Sequence, residues 1–318
     1  MIPLANRCQR IKIWQRRAMP QVSIIVNVRN GAATLRETID SVLAQSFSDW
    51  ELVIWDDCST DESARIVTEY RDSRIRYFLS PEDVSLGKAR GQAIAQARGP
   101  WIAFLDQDDI WLPGKLQKQM SLANEATGMI YGRTVRFYPT GLERDYDQTH
   151  EFKFLPQGDI FPDLFLHGCF IAMSSTIFHK AAIEAVGGIP DEIDLIPDYY
   201  LYTAVARRYP VKAVQEAVCR YRMHPANMSK SVAITMHREA LWLVEHWQAQ
   251  LDPAVASKAR RRHLTAIALE QMRDPHSAAN GLMLLLTEGS VLSQLLRPPL
   301  FLFHLLRRHL RVPYWQAL

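Results

Sequence analysis

The feature that most constrains this chain is a regular alternation near its start. VSIIVNV (22–28), WELVIWDD (50–57), IRYFLS (75–80) and WIAFLD (101–106) are short runs rich in β-branched and aromatic residues. Between them TLRETIDSVLAQ (34–45), STDESARIVTEY (59–70) and GKARGQAIAQA (87–97) read as helices. Apolar runs bounded by turn residues are strands buried on both faces, and strands alternating with helices at this interval pair in parallel. The expected architecture is therefore α/β, a Rossmann-like, mostly parallel, doubly wound sheet flanked by helices. The first helix is expected to open on a capping box of Thr34 and Glu37, the second on Ser59 or Thr60.

Such a sheet binds its ligands beyond the carboxyl ends of its strands, so the residues there are the candidates. They are Asn27 to Asn30, Asp56 and Asp57, and the run FLDQDDIW (104–111) with Asp106, Asp108 and Asp109. Three carboxylates within four positions repel one another and resist ionising together. A bound cation explains them: an Asp-x-Asp pair offers hard oxygens suited to Mn2+ or Mg2+, which fill their remaining positions with water and substrate phosphates. The plainer alternative is a solvated turn with Asp109 capping the next helix. Asp56 and Asp57 suit a ribose hydroxyl or a base N–H, or else cap the following helix. Lys88 and Arg90 are read as lying in the first turn of a helix, where the macrodipole disfavours cations, so an anion such as a diphosphate accounts for them; a solvent-facing pair is the alternative. His224 follows a strand in YRMH (221–224), and Asp198 opens a helix in PDYYLYTAVARRYP (197–210), where a carboxylate is commonplace but can also serve as a general base. GxxxxGK[ST] is absent, and so is GxGxxG after the first strand, which removes the main support for ATPase and dehydrogenase readings.

The 318 residues suffice for one large α/β domain with an appendage, and 48% hydrophobic with 22% charged residues is ordinary globular composition. A net charge of +3 gives no argument for nucleic acid. Cys8, Cys58, Cys169 and Cys219 are scattered without zinc spacing and suit a reducing compartment. The N-terminal stretch NRCQRIKIWQRR (6–17) is not followed by the apolar run of a signal peptide, and no segment reaches the length of a spanning helix. GSVLSQLLRPPLFLFHLLRRHLRVPYW (289–315) mixes Leu, Phe and Trp with Arg and His, the make-up of a helix lying in a membrane surface. Packing on the domain or on another subunit is the alternative. A cytoplasmic protein, peripheral at the membrane, is the expectation. The expected organisation is a basic extension over 1–20, a sugar-nucleotide half over 21–115, an acceptor half over 116–230 and a helical C-terminal region over 231–318.

In order and spacing these segments, with VGGIPDEI (186–193) and YRMHPANMS (221–229), resemble family 2 inverting glycosyltransferases with the GT-A fold, of the kind that build polysaccharides. The resemblance covers about residues 21–230. It implies a nucleoside-diphosphate sugar donor and a hydroxyl acceptor on a glycan or lipid-linked glycan. It places Asn27, Asn30, Asp56 and Asp57 against the nucleotide, and Arg90 at the family's basic residue after the third strand. Asp106 and Asp108 match the metal-binding Asp-x-Asp motif, His224 a histidine near the diphosphate, and Asp198 the aspartate of a Glu-Asp pair that supplies the base. Two departures stand out. Asn27-Val28-Arg29-Asn30 replaces the usual Pro-x-Tyr-Asn, and Pro197 replaces the Glu before the base. Two other readings use the same carboxylates: a nucleotidyltransferase, and a non-catalytic sugar-nucleotide-binding module.

Overall fold

The computed structural model describes residues 19–138, 140–145, 152–224, 232–273 and 277–287. Strands β1 (Val22–Val28), β2 (Trp50–Asp56), β3 (Ile75–Leu79) and β4 (Trp101–Phe104) stand in the order β3-β2-β1-β4, all parallel. Helices α1 (Leu35–Leu43), α2 (Ser63–Glu69) and α3 (Leu86–Ala95) connect them. Side chains along a strand alternate between faces, and β1 uses both. Ile24 and Val26 pack with Leu35, Ile39 and Val42 of α1 and Ile66 of α2, whereas Ile25 packs with Ala89 and Ala93 of α3.

Beyond β4 the sheet changes character. Strands β5 (Ile110–Trp111), β6 (Met129–Phe137), β7 (Glu143–Asp145), β8 (Ile177–His179) and β9 (Val211–Arg222) continue it in the order β4-β8-β6-β9-β5, with β7 beside β6. Here β6–β9 is the one parallel pairing, and the four others are antiparallel. The mostly parallel sheet expected from the alternation holds for the first four strands and gives way to a mixed one. Parallel neighbours need a crossover of helical length, and the pattern that advertises such crossovers stops at β4.

Among the described residues the remaining helices are α4 (Lys115–Met120), α5 (Phe161–His167), α6 (Lys180–Ala185), α7 (Pro197–Ala206), α8 (Ala233–His246), α9 (Pro253–Arg273) and α10 (Ala278–Thr287). Leu164 and Phe165 of α5, Tyr199 and Tyr202 of α7, Leu243 and Val244 of α8 and Ala256 of α9 all join the core on the α3 face. The first helices after residue 231 thus complete the central core, and α10 rests on α9 through Leu285 and Ala268. Among the described residues no helix is long and apolar enough to cross a membrane. The basic segment 6–17 and the amphipathic segment 289–315 lie outside the described residues.

Two helix starts differ from expectation for one reason. Thr34 donates to the Gln107 carbonyl (3.0 Å) instead of capping α1, and Glu37 pairs with Arg222 (2.8 Å). Helix α2 begins only at Ser63 because the preceding loop is laced to the end of β1. Asp56 Oδ1 accepts from Ser59 N (2.8 Å), Asn30 Oδ1 from Thr60 N (2.9 Å), and Asp61 from Ala32 N (2.9 Å). Asn30 and Cys58 take positive φ, 51° and 56°, where this lacing turns the chain. The residues that looked like caps serve the sheet edge.

Candidate active site

Parallel register brings the strand ends level. Val28 lies opposite Asp56, Asp57 N donates to the Val28 carbonyl (2.7 Å), and Leu105 N donates to that of Ile25 (3.0 Å). Asp57 and Asp106 therefore leave the sheet at the same edge. A cleft of about 1060 Å³ opens there, and Asn27, Asn30, Asp57, Arg90, Asp106, Asp108, Asp198 and His224 all line it.

Asp56 and Lys88 do not. Neighbours on a strand face opposite ways, so only one of Asp56 and Asp57 can face the cleft. Asp56 is 1% exposed and accepts from the Tyr77 hydroxyl (2.7 Å) as well as from Ser59 N. Similarly, residues two apart on a helix are separated by ~200°, so Lys88 and Arg90 diverge. Lys88 turns outward to Glu82 (3.6 Å), while Arg90 is 5% exposed and donates from Nη2 to Asp106 Oδ1 (2.9 Å). Arg90 stands in the second turn of α3, and its anionic neighbours are the cleft carboxylates.

The three clustered carboxylates separate into two kinds. Asp109 is fully buried, accepting from the Ser174 hydroxyl (2.5 Å) and from Arg222 N (3.0 Å). The same Ser174 oxygen accepts from Asp106 N (3.1 Å), and Arg222 Nε donates to the Asp108 carbonyl (2.8 Å). Asp109 thus ties the β4–β5 turn to β9, and it caps no helix. Asp106 and Asp108 face the cleft, the latter with Oδ2 2.8 Å from His224 Nε2. Burial pushes the Asp106 carboxyl up, Arg90 draws it down, and Asp108 and Asp198 push it further up. Burial, then Asp108 and Asp106, hold Asp109 well above the carboxylate range.

This donor set fits a divalent ion of the magnesium or manganese kind. Asp106 and Asp108 each keep one carboxylate oxygen outside the contacts just described. Among the described residues no cluster of three or more ligating side chains is preassembled. An ion that takes one or two carboxylates and completes its shell with water and phosphate asks for nothing more. A cation there also relieves the repulsion from Asp108 that adds to burial in raising Asp106.

Asp198 reaches the cleft from α7, which packs in the core on the α3 face. Pro197 occupies the first position of α7, where its missing N–H costs nothing and its fixed φ suits the helix. Asp198 follows, with Oδ1 accepting from Tyr199 N (2.8 Å). Burial raises its pKa, and the Arg90 guanidinium draws it down. Burial makes a carboxylate more basic, a neighbouring cation opposes that shift, and in its ionised form the group can accept a proton.

At the ends of the parallel strands, Asn27 Nδ2 is buried and has no hydrogen-bond partner among the described residues. Asp57 accepts weakly from Val84 N (3.4 Å) and stands 3.5 Å from Arg29 Nη1; burial raises it. Arg29 forks onto Asp83, and Gln107 clamps the Arg29 backbone, accepting from its N–H (2.8 Å) and donating to its carbonyl (3.1 Å). Ser174, Gln107 and the bonding of Arg222 have no signature in sequence, because each acts on backbone or carboxylates dozens of residues away.

Residues 23–187, just over half of the chain, match the family model described as "Glycosyl transferase family 2". The chain belongs to glycosyl transferase family 2. An uncharacterized glycosyltransferase of Rickettsia typhi is 29% identical over 70% of this chain and 70% of its own length. The Escherichia coli enzyme WfgD, a UDP-Glc:alpha-D-GlcNAc-diphosphoundecaprenol beta-1,3-glucosyltransferase, is 28% identical over 66% of this chain and 80% of its own. Other relatives are longer; the chain spans 36% of one from Rickettsia felis. S. aureus TarS 1–349 in complex with UDP-GlcNAc superposes with a TM-score of 0.60 at 18% identity, over 77% of this chain and 72% of that one. The Pyrobaculum calidifontis mannosyltransferase PcManGT, in complex with GDP-Man and Mn2+, gives 0.56 at 18% identity, over 93% and 86%. At those identities the likeness is one of fold, GT-A. As a family 2 enzyme the chain is a glycosyltransferase.

Proposed function

We propose that this transferase moves a sugar, with inversion, from a nucleoside-diphosphate sugar to a hydroxyl of a glycan or lipid-linked glycan. One observation carries the reading: Asp106 and Asp108 face Asp198 across a single cleft, close enough that Asp198 and Asp108 both disturb the ionisation of Asp106. The nucleotide then lies along Asn27 and Asp57, with the diphosphate toward Asp106, Asp108, Arg90 and His224. Asp106 and Asp108 would hold the Mn2+ or Mg2+, which would supply charge neutralisation to the departing diphosphate. Asp198 orients the acceptor hydroxyl and takes its proton. The acceptor oxygen bonds to the anomeric carbon as the bond from that carbon to the diphosphate oxygen breaks on the opposite face. One displacement inverts the centre and releases nucleoside diphosphate.

The names of the relatives support that substrate class. WfgD is named for a UDP-sugar donor and a diphosphoundecaprenol-linked acceptor, and the two structural neighbours were solved with UDP-GlcNAc and GDP-Man. A membrane-surface acceptor also suits the basic, Leu- and Phe-rich segment 289–315. The test incubates the purified full chain with UDP-GlcNAc, UDP-glucose or GDP-mannose, with Mn2+ or Mg2+, and identifies the product. Released nucleoside diphosphate supports the reading. Released sugar 1-phosphate would point to nucleotidyl transfer, and metal-dependent donor binding without any turnover would point to a binding module.

A further inference from the structure

The turn that carries Asp198 is held from outside the segment that matches the family. We propose that Glu239, on α8, is the positioning residue for Asp198, doing through space what Pro197 cannot do in sequence; the inference rests on Asp198 being the base. Glu239 Oε2 accepts from Leu195 N (2.9 Å) and Ile196 N (3.1 Å), and Oε1 from Leu195 N (3.2 Å). Ile196 is the N-cap residue of α7; it has no side-chain acceptor of its own, and Pro197 after it has no N–H. The Glu239 carboxylate therefore takes the two backbone donors immediately before the helix, at the end where the macrodipole favours an anion. Charge-assisted bonds of this kind are the stronger sort.

The other side of the same loop is fixed by close packing. A Cβ on Gly87, in the first turn of α3, would stand 2.3 Å from the Ile193 carbonyl oxygen, so glycine is what lets α3 approach. Arg90 sits one turn further along that helix. The 193–196 loop is thus clamped between the helix that carries Arg90 and the helix that carries Glu239. Helix α8 is itself anchored, with Ala240, Leu243 and Val244 in the core, and its Met236 lines the cleft. Glu239 does not line the cleft, so its influence on the reaction runs through where Asp198 stands. A displacement of about 1 Å of a catalytic group can cost about 10²-fold in rate.

The experiment compares Glu239→Ala, Glu239→Gln and Asp198→Asn in the full chain, using whichever of UDP-GlcNAc, UDP-glucose and GDP-mannose the wild type turns over. Glu239→Ala should lower kcat at least tenfold while the donor KM stays within twofold. Glu239→Gln, which keeps the length and one acceptor oxygen, should recover most of that loss. Amide exchange over 195–200 should speed up in Glu239→Ala whether or not a substrate has been found. Wild-type kcat in Glu239→Ala, or unchanged exchange over 195–200, overturns the proposal. So does an equal loss of kcat and donor affinity with a collapsed melting transition in both Glu239 variants, which would mark a merely structural role. Full activity of Asp198→Asn, by contrast, removes the base assignment itself, whatever Glu239 does.

Discussion

The two halves of this cleft are built by different logic. On the side proposed to hold the nucleotide, Asn27, Asp57 and Asp106 each sit at the end of a parallel strand, and the register that levels those strand ends also assembles the wall. On the opposite side, Asp198, His224 and Arg222 come from α7 and the end of β9, brought in by mixed pairings and by loops that side chains hold in place. The first wall follows from periodicity. The second depends on particular long-range contacts, such as Ser174 to Asp109 and Glu239 to Leu195. Chemistry and binding should therefore separate by half, and substitutions can test that division.

The largest effect is expected at Asp198. Asp198→Asn should lower kcat by about 10²–10⁴-fold, the usual contribution of a positioned general base. Binding of nucleoside diphosphate with Mn2+, followed by calorimetry, should change little. Asp108→Ala should abolish transfer too, but it should also remove the metal dependence of binding. Equal loss of nucleotide affinity in both variants would break the division, since the base would then belong to the binding wall.

A second contrast lies within one strand end. Asp57→Ala should weaken nucleotide binding by about ten- to a hundredfold, the range for losing hydrogen bonds to a charged group. Asp56→Ala should act on stability, because it strands the Tyr77 hydroxyl and Ser59 N; one such buried loss costs about 1–3 kcal/mol. A melting curve beside a titration distinguishes the two. If Asp56→Ala weakens binding as much as Asp57→Ala without lowering Tm, the inward placement of Asp56 is wrong.

Particular residues show what was legible and what was not. The parallel strands, the helices between them and the side of the sheet holding the site follow from the spacing of VSIIVNV, WELVIWDD and WIAFLD, since local periodicity decides them. Asp56 and Lys88 were misplaced because adjacency in sequence does not say which of two neighbours faces a cleft; the strand period and the helical turn each admit only one. The Thr34–Glu37 capping box failed for a related reason. Both side chains have distant partners, Gln107 and Arg222, that a local reading does not contain. Glu239 is the extreme case, since it binds backbone N–H groups 43 and 44 positions away, and backbone donors carry no sequence signal.

Arg90 and Lys88 give a smaller and signed effect. Arg90 draws down the pKa of both Asp106 and Asp198. With Arg90→Leu both rise further above the ordinary carboxylate value. The base must be ionised to act, so the acid limb of the kcat profile should move to higher pH. Lys88→Ala, two residues away but facing Glu82, should leave both the profile and the melting temperature unchanged. An identical pH shift from both variants would mean a diffuse field and no specific role for the inward guanidinium.

The smallest effect contrasts how helices α8 and α9 and the parallel strands respond to acid. His263 on α9 is 5% exposed, with Nδ1 3.2 Å from Nδ1 of His237 on α8. Burial, then His237 and Arg262, lower its pKa from 6.5 to about 3, while burial lowers that of His237 and Glu270 partly restores it. Above pH 6.5 both the folded and unfolded forms of His263 are neutral. Between 6.5 and about 3 the unfolded chain binds a proton that the native pair resists, so native stability falls as the pH falls. The slope is at most about 1.4 kcal/mol per pH unit for one such group. Asp106 and Asp109 carry the opposite sign: their raised folded-state pKa values favour the native state in acid, and that contribution fades as pH rises through them. Amide exchange between pH 7 and pH 5 should therefore show α8 and α9 losing protection before β1 to β4 do. His263→Phe should flatten the difference. Equal loss across both regions, unchanged by the substitution, would mean that the histidine pair does not govern the acid response of α8 and α9.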